Sequence, residues 1–353
     1  MGSSVHSGAF GRNGLIAVCL LAAACLAPLL GLSNYSIGQI TLFFIWASVV
    51  VQWNIVFGVA GIMTLGHVAT FAVGAYATAM SALYLELPFW GAMLMSIPVA
   101  VLFNLALGLV TMRMRGEHVA IVTLAVAMLI SALIVNDVSC FRRVDMICYN
   151  FSGGSRGLIG FGDLGWAKVL GFKFRAFGDY YLALGVLFSG FLLALAIIHG
   201  PYGLAFKAIR DNELYARSRG VDYRKYQLVV FALSAVATGL TGAVYAGYLK
   251  TVGPTLLDMN LLIFLLSMMV VGGRGSVWGP LLGAAALMAA DNVFQAFGAW
   301  RTGGLALVTL LFILFFPRGL AGGLEAVGKH VRGRFHKGQV SAVSASVIQE
   351  DAV

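Results

Sequence analysis

Long apolar stretches separated by short polar connections dominate this chain. No Lys, Arg, Asp or Glu stands between Arg12 and Glu86. Because a helix needs ~20 apolar residues to cross the hydrocarbon core of a bilayer, this run alone predicts about three crossings. Several later stretches are too short for a straight crossing, which indicates discontinuous helices. The whole pattern predicts about ten transmembrane segments, near residues 14–32, 37–57, 66–84, 90–112, 118–136, 180–199, 227–248, 260–272, 279–297 and 302–316.

The composition excludes a soluble enzyme. Of the 353 residues, 60% are hydrophobic and 10% are charged, whereas an ordinary soluble domain has ~25% charged residues. The net charge of +9 falls mainly in connections between apolar segments, where basic residues report membrane orientation and not nucleic-acid binding. No residues have metal-ligand spacing, and no Ser/His/Asp arrangement has a catalytic context. We predict an all-α polytopic membrane protein in contact with lipid.

Basic residues also predict how the chain is oriented. The connection at 200–225 is rich in Lys and Arg, so we expect it on the cytoplasmic side. Counting crossings from it places the N-terminus (1–13) and a basic tail (321–353), expected to be disordered, on the same side. The membrane domain then covers 14–320, and the polar loop 137–179 is external.

Two cysteines of that loop are candidates for a disulfide bond. Cys140 and Cys148 both lie in the predicted external loop, and disulfides form in oxidising compartments. We therefore expect these two residues to be bonded to each other.

Two glycine-rich stretches interrupt apolar regions. We name them the first glycine break (58–67) and the second glycine break (272–276). Segments two to five and seven to ten begin in opposite directions, and such an inverted repeat is typical of transporters in which freed backbone lines a substrate path. Alternatively, the glycines only permit close helix packing. The expected path residues are Gly58, Gly61, Thr64, Gly66, His67, Gly272, Gly273, Gly275 and Ser276.

Few ionisable residues lie at membrane depth, where a buried charge is costly and its function is the first hypothesis. Asp291 lies within an apolar segment beside Asn292, and it is either a structural cap toward the outer face or a path residue. His67 is either a packing residue or a ligand. A secondary transporter coupled to ions would need a buried acid or base, and Asp291 is the candidate for that alternative.

The connection at 200–225 has a pattern of its own. Apolar residues recur at helical spacing on one side of residues 203–219, charged residues fill the other side, and Gly220 is a plausible C-terminal stop. Such a surface helix can dock its apolar side into the groove of a partner. The apolar residues are Leu204, Ala205, Ala208, Ile209 and Ala216.

These motifs resemble those of a known family. Leu214-Tyr215-Ala216 followed by Gly220 resembles the E-A-A-x-x-x-G coupling motif of ABC importer permeases. The run from Tyr202 to Gly220, with the stretch 231–243 after it, looks like the branched-chain amino acid permeases. Residues 58–76, 152–158 and 272–280 look like further motifs of that family, and the external loop favours its LivM-type subunit.

The resemblance implies that this chain forms half of a translocation pore for branched-chain or related amino acids. The chain would lie in a bacterial inner membrane, with both of its termini in the cytoplasm. A homologous LivH-type permease, two cytoplasmic ATPases that bind ATP-Mg and a periplasmic solute-binding protein are the implied partners. This chain would carry no cofactor and would not be an enzyme. The alternatives are a permease of the same family for another small solute, such as urea or an organic acid, and an ion-coupled secondary transporter. The implied coupling residues are Gly203, Ala208, Ile209, Arg210, Asp211, Asn212, Glu213, Ala216 and Gly220.

Overall fold

The computed structural model describes residues 14, 17–30, 33–114, 116–144, 147–166, 171, 174–316 and 319–323. The N-terminus (1–13) and nearly all of the basic tail (321–353), both predicted to be cytoplasmic, lie outside the described residues. The side chain of Cys148 also lies outside them.

Helices account for most of the described chain. This is expected, because a backbone surrounded by lipid must satisfy its N–H and C=O groups internally. Among the described residues, seven helices are long and apolar enough to cross a membrane, so the chain is a multi-pass helical membrane protein. The helices are α1 (Ala17–Leu26), α2 (Asn34–Asn54), α3 (His67–Tyr84), α4 (Phe89–Thr111), α5 (Glu117–Val135), α6 (Arg175–His199), α7 (Pro201–Asp211), α8 (Glu213–Ser218), α9 (Tyr223–Leu249), α10 (Met259–Gly272), α11 (Gly279–Phe294) and α12 (Arg301–Phe315).

The structure also contains two small antiparallel β-ladders, which the all-α prediction did not include. Strands β1 (Arg142–Val144) and β2 (Ile147–Tyr149) pair with each other, and β3 (Leu158–Ile159) pairs with β4 (Thr251–Val252). Strands of two or three residues carry no readable alternation of polar and apolar positions, so the sequence gives no signal for them. Helix α6 begins at Arg175, several residues before the predicted end of the 137–179 loop.

Helix boundaries follow from capping chemistry. The Ser33 hydroxyl accepts a hydrogen bond from the Ser36 N–H at 3.2 Å and caps the start of α2. At its other end α2 passes into a π-helical turn, Ile55–Val59. Such turns are rare in proteins, and those that occur are often found at functional sites. The last two residues of this turn, Gly58 and Val59, already belong to the first glycine break.

The single surface helix predicted over 203–219 is in fact two helices, α7 and α8. Asn212 between them is extended, with φ −157° and ψ 103°. Its side-chain oxygen accepts a hydrogen bond from the Tyr215 N–H at 3.0 Å, as a helix N-cap does. The helical spacing of the apolar residues concealed this local break. Gly220 has φ +82° and ends α8, as predicted.

Close helix packing occurs in the centre of the bundle. Helix α3 packs against α4 and α9. A Cβ atom at Gly74 would lie 2.6 Å from the Gly239 carbonyl oxygen, and one at Gly242 would collide with the Phe71 carbonyl. Glycines at these places therefore serve helix packing. Buried hydrogen bonds reinforce the contact between helices, for example that between the Ser48 and Thr241 hydroxyls at 2.9 Å.

The bundle has two distinct ends. We name the end that carries α7 and α8 the short-helix end, and the end that carries the described residues between α5 and α6 the loop end. At the loop end the Asp137 carboxylate accepts hydrogen bonds from the N–H and hydroxyl of Ser152, at 2.6 and 2.7 Å. The Lys250 ammonium lies 2.7 Å from the Asp163 carboxylate.

Candidate functional site

The two glycine breaks lie in contact with each other at the short-helix end. The Asn54 side chain joins them: its oxygen accepts from the Gly275 N–H at 2.8 Å, and its nitrogen donates to the Ser276 carbonyl at 2.9 Å. Gly58 lies so close that a Cβ atom there would collide with the Gly275 nitrogen. Asn54 is 2% exposed, so this bridge is an interior contact.

The breaks were predicted to correspond to each other within an inverted repeat, and this correspondence stays a prediction. The two breaks share one end of the bundle, and each connects two helices at their ends. The first follows α2 and precedes α3, and the second connects α10 to α11.

Arg210 of α7 reaches the point where the two breaks meet. Its Nη1 donates to the Gly58 carbonyl at 2.9 Å. Its aliphatic carbons cover Gly61, where a Cβ atom would collide with the Arg210 Cγ. Gly61 also has φ +74°, a conformation that favours glycine. A Cβ at Gly275 would lie 3.3 Å from the Arg210 Nη1.

The remaining path candidates of the first glycine break, Thr64, Gly66 and His67, are buried and bonded within the protein. The Trp53 Nε1 donates to the Thr64 carbonyl at 2.8 Å, and the Gly66 N–H donates to the Thr64 hydroxyl at 3.2 Å. The His67 Nε2 is 2.8 Å from the Thr238 hydroxyl, and the imidazole is stacked on the Trp53 ring. In this conformation His67 has the geometry of a packing residue.

The second glycine break makes a tight connection between α10 and α11. A Cβ atom at Gly272 would collide with the Gly279 carbonyl, and one at Gly283 with the Met268 carbonyl. The Ser276 hydroxyl accepts from the Gly279 N–H at 2.8 Å and so satisfies one free donor at the start of α11. Gly273, with φ +107°, ends α10.

The apolar side of the two surface helices faces this chain's own bundle. Ala205, Phe206, Ile209 and Ala216 are buried, and Phe206 and Ile209 pack near Tyr226, Val230 and Ile62. The expectation that Ala205, Ile209 and Ala216 face a partner is therefore corrected: the helices need these residues to pack on the bundle. The side turned outward carries Leu204, Ala208, Leu214 and Tyr215.

The remaining coupling candidates have local roles. Gly203 allows a tight turn after α6, because a Cβ there would collide with the Ile198 carbonyl. Asp211 lies 3.3 Å from the Arg210 Nε. Glu213 and Arg217 form an ion pair at 2.7 Å within α8.

Asp291 is held by a partner that sequence reasoning did not identify. Arg301 at the start of α12 donates to both carboxylate oxygens, at 2.6 and 2.7 Å. The pair stands at a cleft of about 730 Å³ between α10 and α12. The Asp291 carboxylate is buried, while Arg301 is half-exposed. The sequence did offer one signal for this pair: two opposite charges stand ten residues apart in a region that has almost no other charge.

Cysteines and possible metal ligands complete the set of candidates. Cys140 is disulfide-bonded, whereas Cys19 and Cys25 are free thiols. The pairing with Cys148 stays a prediction, because that side chain lies outside the described residues. Within the described part of the chain, no group of three His, Cys, Asp or Glu residues is placed to hold a metal ion.

A family described as branched-chain amino acid transport system / permease component matches residues 35–316. The chain belongs to this family. It is 26% identical to the high-affinity branched-chain amino acid transport system permease protein LivM of Escherichia coli (strain K12), over 88% of this chain and 75% of the relative. These matches confirm the predicted family and the likeness to a LivM-type subunit.

A second group of relatives belongs to a different import system. The chain is 29% identical to the autoinducer 2 import system permease protein LsrC of Salmonella typhi, over 87% of this chain and 86% of the relative. No solved structure matches the chain. All of these relatives are named as permease components of transport systems.

Proposed function

We propose that this chain is one half of the translocation pathway of an ATP-driven importer for branched-chain or related amino acids. The observation that carries the proposal is the pair of surface helices α7 and α8. Their apolar side anchors them to the bundle, their outer side leaves Leu214 77% exposed, and Arg210 connects them to the glycine breaks. A cytoplasmic ATPase that binds the outer side would thereby act on the interior of the permease.

The proposed assembly contains four further subunits or domains. A homologous LivH-type permease supplies the other half of the pathway, two ATPases bind ATP-Mg, and a periplasmic solute-binding protein delivers the solute. The described helix α12 buries none of its residues, so its surface is available to lipid or to the second permease. This chain itself contributes no cofactor and no catalytic residue.

The proposed topology has about ten crossings, in a bacterial inner membrane with both termini cytoplasmic. This number is supported by the seven long apolar helices, by the shorter apolar helices α1 and α10, and by the buried helix α3. The short-helix end is then cytoplasmic and the loop end periplasmic. The opposite starting directions of segments two to five and seven to ten support an inverted repeat, independently of the glycine breaks.

Reconstitution tests the function. Proteoliposomes that contain the complete complex should take up radiolabelled leucine when ATP is supplied, and dissipation of proton and sodium gradients should not stop uptake. Uptake that follows an ion gradient without ATP would support the ion-coupled secondary transporter instead. Co-purification of two ATPase subunits with the chain is the simplest first observation.

A solute other than an amino acid is the second candidate, and the likeness to LsrC favours it. The family then remains the same and only the transported solute differs. Competition of unlabelled leucine, urea, organic acids and autoinducer 2 against labelled solute on the binding protein distinguishes these cases, because selectivity in such an assembly begins with the protein that delivers the solute.

A further inference from the structure

Three separate pieces of the chain meet at the Arg210 guanidinium. These pieces are the end of α7, the π-helical end of α2 and the second glycine break. The guanidinium donates to the Gly58 carbonyl at 2.9 Å. Carbonyl groups in the last turn of a helix have no partner within that helix, so this hydrogen bond satisfies an acceptor that α2 cannot satisfy itself.

The Arg210 stem fits the surface of the first glycine break closely. Gly61 offers no side chain, and the Arg210 Cβ and Cδ atoms would each lie 3.1 Å from a Cβ placed there. A shift of α7 would therefore carry the Arg210 stem along the backbone of the first glycine break, against which it lies.

The contact continues from the first break to the second through Asn54. Its amide binds the Gly275 N–H and the Ser276 carbonyl, and the Ser276 hydroxyl in turn caps α11. Around this bridge the backbones touch: a Cβ at Gly275 would lie 3.0 Å from the Gly58 carbonyl oxygen. Arg210, Gly58, Asn54, Gly275 and Ser276 thus form one connected set, which we name the junction.

We propose that Arg210 is a positioning residue that transmits movement of the surface helices to both glycine breaks at once, through the junction. This inference rests on the proposed function, since the movement would come from ATPases bound to α7 and α8. It assigns Arg210 a role distinct from docking: its side chain is 40% exposed, but its guanidinium binds the Gly58 carbonyl of its own chain, whereas Leu204, Ala208 and Leu214 point outward.

The experiment uses the complete complex in proteoliposomes and a reporter that does not depend on the solute. Arg274 belongs to the second glycine break, is exposed and lies over the Phe57 ring. Arg274→Cys, in a chain with Cys19→Ser and Cys25→Ser, gives a thiol whose maleimide labelling rate is measured with and without ATP. ATP hydrolysis and leucine uptake are measured on the same preparations.

We expect ATP to change the labelling rate in the reporter chain. Arg210→Gln should keep its ATPases and its ATP hydrolysis but lose at least roughly fivefold of the labelling response and of uptake per ATP hydrolysed, because a hydrogen bond to a charged group is lost. Arg210→Lys retains the charge and the stem and should recover part of both. Asn54→Leu changes a residue that is buried within the junction and should give the same defect as Arg210→Gln. Arg224→Gln is the control, since it removes an exposed charge at the start of α9.

Several outcomes would overturn the proposal. The first is an Arg210→Gln complex that keeps the full labelling response. The second is an Arg210→Gln chain that loses its ATPases while Asn54→Leu keeps a normal response; this combination would make Arg210 a docking residue. If Arg210→Gln does not fold, a normal response in both Arg210→Lys and Asn54→Leu also overturns it. Failure of the proposed function has a different signature: the unsubstituted chain then binds no ATPases or takes up no leucine.

Discussion

At the residue scale, Asp291 can be buried because Arg301 binds both of its oxygens. A charge inside a membrane protein needs a partner, and the paired geometry here is the bidentate form typical of strong Arg–carboxylate contacts. The carboxylate side chain is 7% exposed and the Arg301 side chain 48% exposed, so the pair is only half shielded from its surroundings.

Arg301→Gln should therefore lower the free energy of unfolding in detergent by about 2 kcal/mol, because it leaves a buried carboxylate without its cation. The cost is smaller than for a fully buried pair, because the Arg301 side chain is half-exposed to its surroundings. The double variant with Asp291→Asn should recover much of that loss. Arg217→Gln, which breaks an exposed pair, serves as control and should cost about 1 kcal/mol or less. Equal costs for the two arginine variants would show that the Asp291 pair has no structural role.

Gly61 gives a second prediction at this scale. Gly61→Leu forces a side chain into a left-handed backbone conformation and into the space of the Arg210 stem, so uptake should be blocked while the ATPases stay bound. Gly185→Leu is the matched control, because a Cβ there meets nothing within 4 Å. Normal uptake by Gly61→Leu would remove the first glycine break from the transport mechanism. Gly273→Leu tests the second break in the same way.

At the scale of elements, the surface helices α7 and α8 use their two sides differently. Ala208→Glu changes the outward side, so the chain should fold normally yet lose its ATPases. The reason is desolvation: a charge buried without a partner at that interface costs on the order of several kcal/mol. Arg217→Ala should cost the complex ~1 kcal/mol or less.

Ile209→Asp is the complementary variant on the inward side. It should lower the stability of the chain itself, measured by thermal unfolding in detergent without ATPases, whereas Ala208→Glu should leave that stability unchanged. If Ala208→Glu retains its ATPases and transports normally, the docking surface lies elsewhere on the chain.

The loop end gives a prediction on pH. Hydrogen bonding to Lys250 lowers the pKa of the Asp163 carboxyl, and hydrogen bonds from the Ser152 N–H and hydroxyl lower the pKa of Asp137. A lowered pKa in the folded state means that these contacts stabilise the fold above the unfolded pKa, about 3.9, and lose that effect as the pH falls through the folded value.

Asp163→Asn should accordingly reduce stability by about 1 kcal/mol or less at pH 7, since the pair is partly exposed. The difference from the unsubstituted chain should stay constant down to about pH 5 and should disappear as the pH falls through the lowered folded pKa of Asp163. Unfolding temperatures measured across this range check it. A difference that persists unchanged at the lowest pH would show that the Lys250 contact does not depend on the carboxylate charge.

The sequence predicted elements better than it predicted contacts. Length and hydropathy were enough for the long helices, and Gly220 was enough for the end of α8, because these signals are local. The break at Asn212 was missed because one capping residue does not disturb the helical spacing around it. Asn54 and Arg301 were missed as partners because their bonds reach residues distant in sequence or across a helix connection, and nothing in the local pattern reports such a pairing.

At the scale of the whole molecule, the contact between the two glycine breaks changes how their role is understood. The sequence suggested two separate interruptions, and the fold places them together beside the surface helices. A displacement at one surface can therefore reach two helix pairs, α2 with α3 and α10 with α11, through a few hydrogen bonds. The backbones at Gly58 and Gly275 are in direct contact at that connection.

The central claim is that this chain imports solute only when ATPases act on its surface helices. The most direct measurement is leucine uptake by proteoliposomes that contain the complete complex, with ATP inside or absent and with ion gradients dissipated. The account predicts uptake that requires ATP, survives loss of the gradients and is absent when the chain carries Ala208→Glu. Uptake that proceeds without ATP, or that stops when the gradients are dissipated, would contradict it.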